Sequence, residues 1–185
     1  MNAKFTARDI TLTAVFTAIT VVSAMLIRYA GPFVPFSLQP FVVLLAGGVI
    51  GARLGSLSIL VYILIGLVGV PVFATAPFGG PAYILKPTFG FLLGFVLAAF
   101  VIGKILERYE TRTLVHYLSA MLAGIVAYNL IGIPYLYAML VFYLGGSYSI
   151  MEVLAIGFFP FFLLDLVKGV CAALLAMAVA KRLQA

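Results

Sequence analysis

Long uncharged apolar runs dominate the chain, and short charged or proline- and glycine-rich segments separate them. A membrane-spanning helix needs about 20 mostly apolar residues. The runs therefore predict six transmembrane helices, at about residues 10–30, 41–52, 55–70, 88–106, 114–144 and 158–180. The fifth run contains Gly132 and Pro134, which predict a bend. No internal repeat or interdomain linker is visible, so we predict one integral membrane domain over residues 1–185.

Two segments between the runs have a composition that breaks regular structure. Pro32 and Pro35 lie between the first and second runs. Residues 71–87 hold four prolines and the adjacent glycines Gly79 and Gly80. Because proline fixes φ and glycine permits close approach of the backbone, this second segment is expected to be a stiff loop. Residues 145–157 are interpreted as a further connection.

The overall composition excludes a water-soluble protein. The chain is 65% hydrophobic and 9% charged, whereas a soluble domain is about 25% charged. So few charges cannot cover the surface of a soluble globule, which excludes soluble enzymes and nucleic-acid binders. Membrane lipid must be the main surrounding of this chain.

The basic residues indicate how the helices are oriented. With a cytoplasmic N-terminus, Arg28 and Lys86 fall outside and Lys168 lies within the last span. The remaining basic residues all fall on the cytoplasmic side: Lys4, Arg8, Arg53, Lys104, Arg108, Arg112, Lys181 and Arg182. This positive-inside bias predicts that both termini are cytoplasmic and that residues 71–87 and 145–157 face outward.

Asp165 and Lys168 are the most informative polar residues because both lie inside the last apolar run. Their spacing of three places them on one face of a helix, roughly 10 and 15 Å below the start of the span. An ionised group at that depth costs at least about 2.5 kcal/mol. We therefore interpret the pair as part of a ligand site for a polar, amide-like solute. A structural ion pair between helices is the alternative.

Three other polar residues are weaker candidates. Lys86 could pair with a ligand carboxylate or could be an interfacial lysine whose charge reaches water. Gln39 precedes the second run and Asn129 lies inside the fifth. Each could contact a ligand or form a hydrogen bond between helices.

Small residues recur at four-residue spacing in three of the runs. They are Ala14 and Ala18, then Gly47, Gly51 and Gly55, then Gly90 and Gly94. This spacing lets helices approach closely in lipid. Most of these stripes are interpreted as internal packing, and the pattern leaves open whether one of them docks another membrane protein.

Catalysis is not predicted. His116 is the single histidine, no cluster has metal-ligand spacing, and no glycine-rich phosphate loop occurs. We therefore expect neither a metal nor another cofactor, and any ATP-driven step needs separate subunits.

Several motifs together resemble the BioY family, the biotin-binding S component of energy-coupling factor (ECF) transporters. They are Ser37-Leu38-Gln39-Pro40, the glycine-rich segment 51–55, residues 69–74, Gly79-Gly80, residues 87–91, and Pro160 with Asp165 and Lys168. The family usually reads Gly-Pro-Thr-Gly-Gly-Tyr before the fourth helix, whereas residues 86–91 read Lys-Pro-Thr-Phe-Gly-Phe. A lysine at position 86, beside the expected pocket, could change how the carboxylate of the ligand is bound or shift the preference to a related acid.

The resemblance implies a six-helix S-component bundle in a prokaryotic cell membrane that captures biotin from outside. Asp165 and Lys168 would meet the ureido group, and loop 71–87, with Gly79, Gly80 and Tyr83, would act as a lid. Ala14 and Ala18 match the motif through which S components dock on a transmembrane coupling protein. The resemblance also implies two cytoplasmic ATPases that supply the energy for transport. The alternative is a proton-coupled secondary transporter of a small carboxylate-bearing solute, in which Asp165 titrates, although the inverted repeat usual in such transporters is not visible.

Overall fold

The structure, a computed structural model, describes residues 5–30 and 37–184. Within those ranges it holds helices and loops but no strand. In chain order the elements are α1 (Ala7–Ala30), α2 (Gln39–Leu67), a 3₁₀ helix (Pro81–Leu85), α3 (Phe89–Leu106), α4 (Leu114–Ala138), a π-helical turn (Met139–Tyr143), α5 (Ile150–Gly157) and α6 (Phe159–Gln184). Pro32, Pro35 and Lys4 lie outside the described residues.

Five helical stretches in the described part of the chain are long and apolar enough to cross a membrane. They are α1, α2, α3, α4 with its π-helical turn, and α6. The predicted class, an all-helical multi-pass membrane protein, is confirmed.

α2 is a hairpin of two arms. Gly51 has φ +79° and ψ −179°, which interrupts the helix. A Cβ on Gly55 would lie 3.1 Å from the carbonyl carbon of Ala46, and the Gln39 amide donates to the Tyr62 hydroxyl at 3.0 Å. A straight helix would separate these pairs by about 14 and 35 Å. Since both contacts centre on the same point of the sequence, the arms 39–50 and 52–67 run antiparallel, in the places of the second and third predicted helices.

Glu107, directly after α3, caps the second arm of this hairpin. Its Oε1 accepts from the backbone N–H of Ala52 at 3.0 Å, and Lys104 donates to Oε2 at 2.9 Å. The N–H groups of a first helical turn lack partners and carry partial positive charge. Burial raises the pKa of the Glu107 carboxyl, but the hydrogen bonds from Lys104 and Ala52, with the charges of Lys104 and Arg112, outweigh it and hold this pKa below its ordinary value.

A glutamine at position 107 keeps an acceptor but loses the charge, so Glu107→Gln should reduce stability at pH 7 by about 0.3–1 kcal/mol. A depressed pKa means that the charge stabilises the folded state fully above the pKa of the unfolded chain, about 4.3. The contribution is lost as the pH falls through the folded value, so variant and wild type should converge once the pH lies below that value. Thermal unfolding in detergent at several pH values measures the difference. Glu110→Gln, in the same loop between α3 and α4, is the control. An equal loss of stability at both ends of the pH range would contradict the capping role of Glu107.

The segment after α4 departs from the sequence-based expectation. α4 continues through Pro134 to Ala138, and the π-helical turn follows it. Residues 150–157, interpreted from the sequence as part of a connection, form α5. Ser149 and Glu152 form a capping box at the start of α5, because each side chain accepts from the other residue's backbone N–H.

Glycines allow the helices to cross closely. α3 packs against both α2 and α4. A Cβ on Gly47 would lie 2.6 Å from the Ala99 carbonyl oxygen, and a Cβ on Gly94 would lie 2.6 Å from that of Tyr128. The stripes in α2 and α3 therefore serve internal packing. Ala14 and Ala18, in contrast, lie on an exposed face of α1.

Candidate functional site

A cavity of about 460 Å³ lies at one end of the bundle, within the usual size range of small-molecule sites, about 300–1,000 Å³. Residues from α2, α3, α4, α5, α6 and the loop 68–88 line it. The polar lining residues are Ser37, Gln39, Thr75, Tyr83, Thr88, Tyr128, Asn129, Asp165 and Lys168. The others are Pro40, Ala74, Phe91, Leu92, Phe95, Leu136, Ile156, Gly157 and Phe161.

Asp165 is the buried charge of this cavity, with 5% of its surface exposed. Lys168 donates to its Oδ1 at 2.8 Å, and the Tyr128 hydroxyl donates to its Oδ2 at 2.5 Å. The ammonium has three N–H bonds, so two remain after this contact. Asp165 and Lys168 therefore form an ion pair that also borders an open cavity, where a ligand can reach both charges.

Tyr128 was not a candidate in the sequence analysis. A tyrosine inside an apolar run carries no signal of its own, because its role depends on which residue of α6 faces it. Its neighbour Asn129 was predicted and lines the same cavity; the side-chain N–H of Asn129 donates to the Ile125 carbonyl at 2.8 Å.

A second polar group lies where the loop 68–88 meets the first arm of α2. Gln39 donates to the Tyr62 hydroxyl at 3.0 Å, and the hydroxyls of Tyr83 and Thr75 lie 3.1 Å apart. The Tyr83 ring also stacks on Phe73, with the centroids 4.0 Å apart. Gln39 and Tyr83 are buried and border the cavity, so this group can form a hydrogen bond to a ligand in the same cavity as the ion pair.

The structure thus brings Asp165, Lys168, Gln39, Asn129 and Tyr83 together around one cavity, whereas the other three candidates lie outside its lining. Lys86 is half-buried directly after the 3₁₀ helix.

The two loop glycines support the loop instead. A Cβ on Gly79 would lie 2.5 Å from the Val70 carbonyl oxygen. Gly80, at φ +94°, donates its N–H to the Gly66 carbonyl at 2.7 Å. Gly79 thus allows two parts of the loop to approach closely, and Gly80 docks the loop on the end of α2.

Ala14 and Ala18 border a different feature, an apolar groove of about 800 Å³ between α1 and the second arm of α2. Thr13 and Thr17 line it with Leu57, Val61 and Ile65. Within the part of the chain that the structure describes, no three His, Cys, Asp or Glu residues cluster to hold a metal.

Comparisons with known proteins agree on one family. A family model described as the BioY family matches residues 1–185. The chain is 42% identical over 168 residues to a probable biotin transporter BioY of Lysinibacillus sphaericus, covering 91% of this chain and 84% of the relative. It is 38% identical over 175 residues to a biotin transporter BioY of Thermotoga maritima, covering 94% and 96%.

A solved structure has a similar fold. The crystal structure of the S-component for biotin from an ECF-type ABC transporter superposes with a TM-score of 0.76 at 21% identity, covering 96% of this chain and 95% of that one.

Proposed function

The chain belongs to the BioY family, and on that premise we propose that it is the substrate-binding membrane subunit of a biotin uptake system. It is a transport subunit rather than an enzyme. The observation that carries the proposal is the ion pair Asp165–Lys168 at the border of a cavity large enough for a vitamin. The cavity end of the bundle offers charge and hydrogen bonds inside an otherwise apolar membrane protein.

The chemistry of biotin fits this cavity. Its ureido ring has N–H donors and a carbonyl acceptor, which suit a carboxylate and an ammonium that point to the same place. Asp165 would accept from the ring N–H groups and Lys168 would donate to the carbonyl. Phe91, Phe95 and Phe161 border the same space and would pack against the apolar part of the fused rings.

We further propose that the chain forms one integral membrane domain in a prokaryotic cell membrane, with both termini cytoplasmic. Four basic residues support this orientation, because the hairpin turn of α2, the end of α3 and the loop 107–113 carry them at the end of the bundle opposite the cavity: Arg53, Lys104, Arg108 and Arg112. Cationic loops favour the cytoplasmic side, so the cavity would open outward.

Energy for import would come from partners. We propose that a transmembrane coupling protein docks on Ala14 and Ala18, and that two cytoplasmic ATPases drive it. The exposed position of both alanines beside an apolar groove supports this docking face, since small residues allow close approach of a partner helix in lipid.

Biotin binding by the purified protein tests the central proposal. Titration calorimetry in detergent should give a dissociation constant below about 1 μM, which corresponds to about −8 kcal/mol. Biotin should also raise the unfolding temperature, because it binds only the folded state. Pantothenate, a carboxylate without a ureido ring, is the control ligand. Absence of both heat and thermal shift at micromolar biotin would refute the proposal.

Uptake into proteoliposomes separates this function from the proton-coupled alternative. Vesicles that hold this chain alone should bind biotin without accumulating it against a gradient. Accumulation in such vesicles that a protonophore abolishes would establish the alternative instead.

A further inference from the structure

Arg28 connects α1 to the loop 68–88. Its Nη2 donates to the carbonyls of Pro71 and Phe73, at 2.9 and 2.5 Å. Its guanidinium carbon lies 4.0 Å from the centroid of the Phe78 ring, a cation–π distance. One side chain at the end of α1 therefore holds two carbonyls and one ring of the same loop.

The contacts continue from Phe73 to the cavity. Phe73 is fully buried; one side stacks on Tyr83, and its centroid lies 5.6 Å from that of Tyr62 in an edge contact. Tyr83 borders the cavity and bonds to Thr75, and Tyr62 accepts from Gln39. The positions of three lining residues, Gln39, Thr75 and Tyr83, thus depend on Phe73. Arg28 itself does not line the cavity.

The Arg28 contacts matter because they attach α1 to the loop as well as to its neighbouring helix. Among the described residues, the main helix contacts of α1 are with α2. Its other face exposes large apolar side chains, at Val15, Ile19, Val22 and Leu26. The loop is also fixed from the opposite side, where the Tyr135 hydroxyl donates to the Ile84 carbonyl. Arg28 therefore links α1 to the first half of the loop.

We infer that Arg28 is a positioning residue that holds the Phe73–Tyr83 wall of the cavity and thereby sets how slowly the ligand leaves. This inference rests on the proposed function. α1 also carries Ala14 and Ala18, about 21 and 15 Å from Arg28 along the helix axis. By linkage, a partner that displaces α1 weakens ligand binding, and bound ligand resists that displacement.

Dissociation kinetics test the role of Arg28. Labelled biotin is bound to the detergent-purified protein and chased with excess unlabelled biotin. Arg28→Met, which keeps an unbranched stem but loses the guanidinium and its donors, should raise the dissociation rate at least tenfold and change the association rate less than about threefold. Arg28→Lys, which keeps a cation but not the fork of donors, should lie between Arg28→Met and wild type.

Arg53→Met is the matched control, because the Arg53 guanidinium carbon also lies over a phenylalanine, 4.3 Å from the Phe5 ring centroid, at the opposite end of the bundle. Its biotin dissociation rate should equal that of wild type. Ligand-free unfolding of both variants separates general destabilisation from a change at the cavity.

The failures of the two proposals are distinguishable. If wild type does not bind biotin, the proposed function is wrong. If wild type binds and Arg28→Met releases biotin at the wild-type rate, the inference about Arg28 is wrong. Should Arg28→Met fail to fold, Arg28→Lys and Phe78→Leu decide the matter: faster release in both supports the inference, and wild-type rates in both overturn it.

Discussion

Asp165→Asn is expected to weaken biotin binding at least about 100-fold, which corresponds to about 2.7 kcal/mol. An amide offers one acceptor where the carboxylate offers two, and its NH₂ group would face either Tyr128 or Lys168, both of which donate to position 165. The variant also leaves the Lys168 ammonium, with 14% of its side chain exposed, without its counter-ion. Removal of one partner of a buried ion pair costs about 3–5 kcal/mol.

A second variant separates lost binding from lost stability. Asp165→Asn with Lys168→Met removes both charges, and neutral replacements of buried ion pairs are often tolerated. The double variant should therefore unfold at a higher temperature than the single variant, yet it should still fail to bind biotin. Calorimetry and thermal unfolding measure the two properties on the same preparations.

Asp9→Asn is the control, because Asp9 is a carboxylate near the start of α1, away from the cavity lining, that accepts a hydrogen bond from the Thr6 backbone N–H. It should bind biotin as wild type does. Wild-type affinity in the double variant would show that Asp165 and Lys168 are a structural pair and that the ligand site lies elsewhere.

The ion pair could be predicted because charge inside an apolar run is itself a signal. An ionised side chain in a membrane helix must be satisfied, and a spacing of three fixes a shared face without any knowledge of other helices. The partner from α4 could not be predicted. The sequence of α4 does not show which neighbouring helix Tyr128 faces. The contact with Asp165 depends on how α4 and α6 cross, which only the structure shows.

This sequence does not show which face of each helix packs against other helices and which contacts lipid. The cause is the uniform apolar character that makes the spans easy to find. In lipid, both the outward and the inward face of a helix are apolar. In α3, the exposed Leu97 and Phe100 flank the buried Ala98 and Ala99, and hydrophobicity does not distinguish them. Length and charge therefore predicted the helices, whereas which faces pack together required the structure.

Connections were predicted less well than spans. Gly51 could be recognised as a breaker, but the fold-back of α2 also needs Glu107, 56 residues later, to cap its second arm. α5 is only eight residues long and follows a segment with two glycines and two serines, so its apolar residues were interpreted as part of a connection. Its start depends on a local capping box that is easy to overlook in so short a run.

Gly103→Ala is expected to destabilise the folded protein strongly. A Cβ at this position would lie 2.0 Å from the backbone nitrogen of Ala52 and 2.4 Å from both the Ala52 Cα and the Gly51 carbonyl carbon. These are backbone atoms at the turn of the α2 hairpin, so no side-chain rotation can make room. α3 would have to move away from the hairpin, which also pulls Glu107 from the Ala52 N–H.

Two opposing effects determine how much stability Gly103→Ala loses. Alanine in place of glycine favours a helix by about 1 kcal/mol, and overpacking a rigid contact costs about 1–3 kcal/mol or more. Because the clash involves only backbone, we expect the upper end of that range. Yield of monodisperse protein and its unfolding temperature, both without ligand, measure the effect.

Gly169→Ala in α6 is the matched control for Gly103→Ala, since it changes the same residue type in another buried helical position. A Cβ there would lie 3.2 Å from the Ile125 Cδ1 and 3.7 Å from the Met121 Cβ. The nearer atom is the end of a flexible side chain that can rotate away, so the helix propensity of alanine should leave this variant as stable as wild type or slightly more stable. If Gly103→Ala were equally stable, α3 and the hairpin turn could not be in direct backbone contact, and the cap from Glu107 to Ala52 would lose its geometric basis.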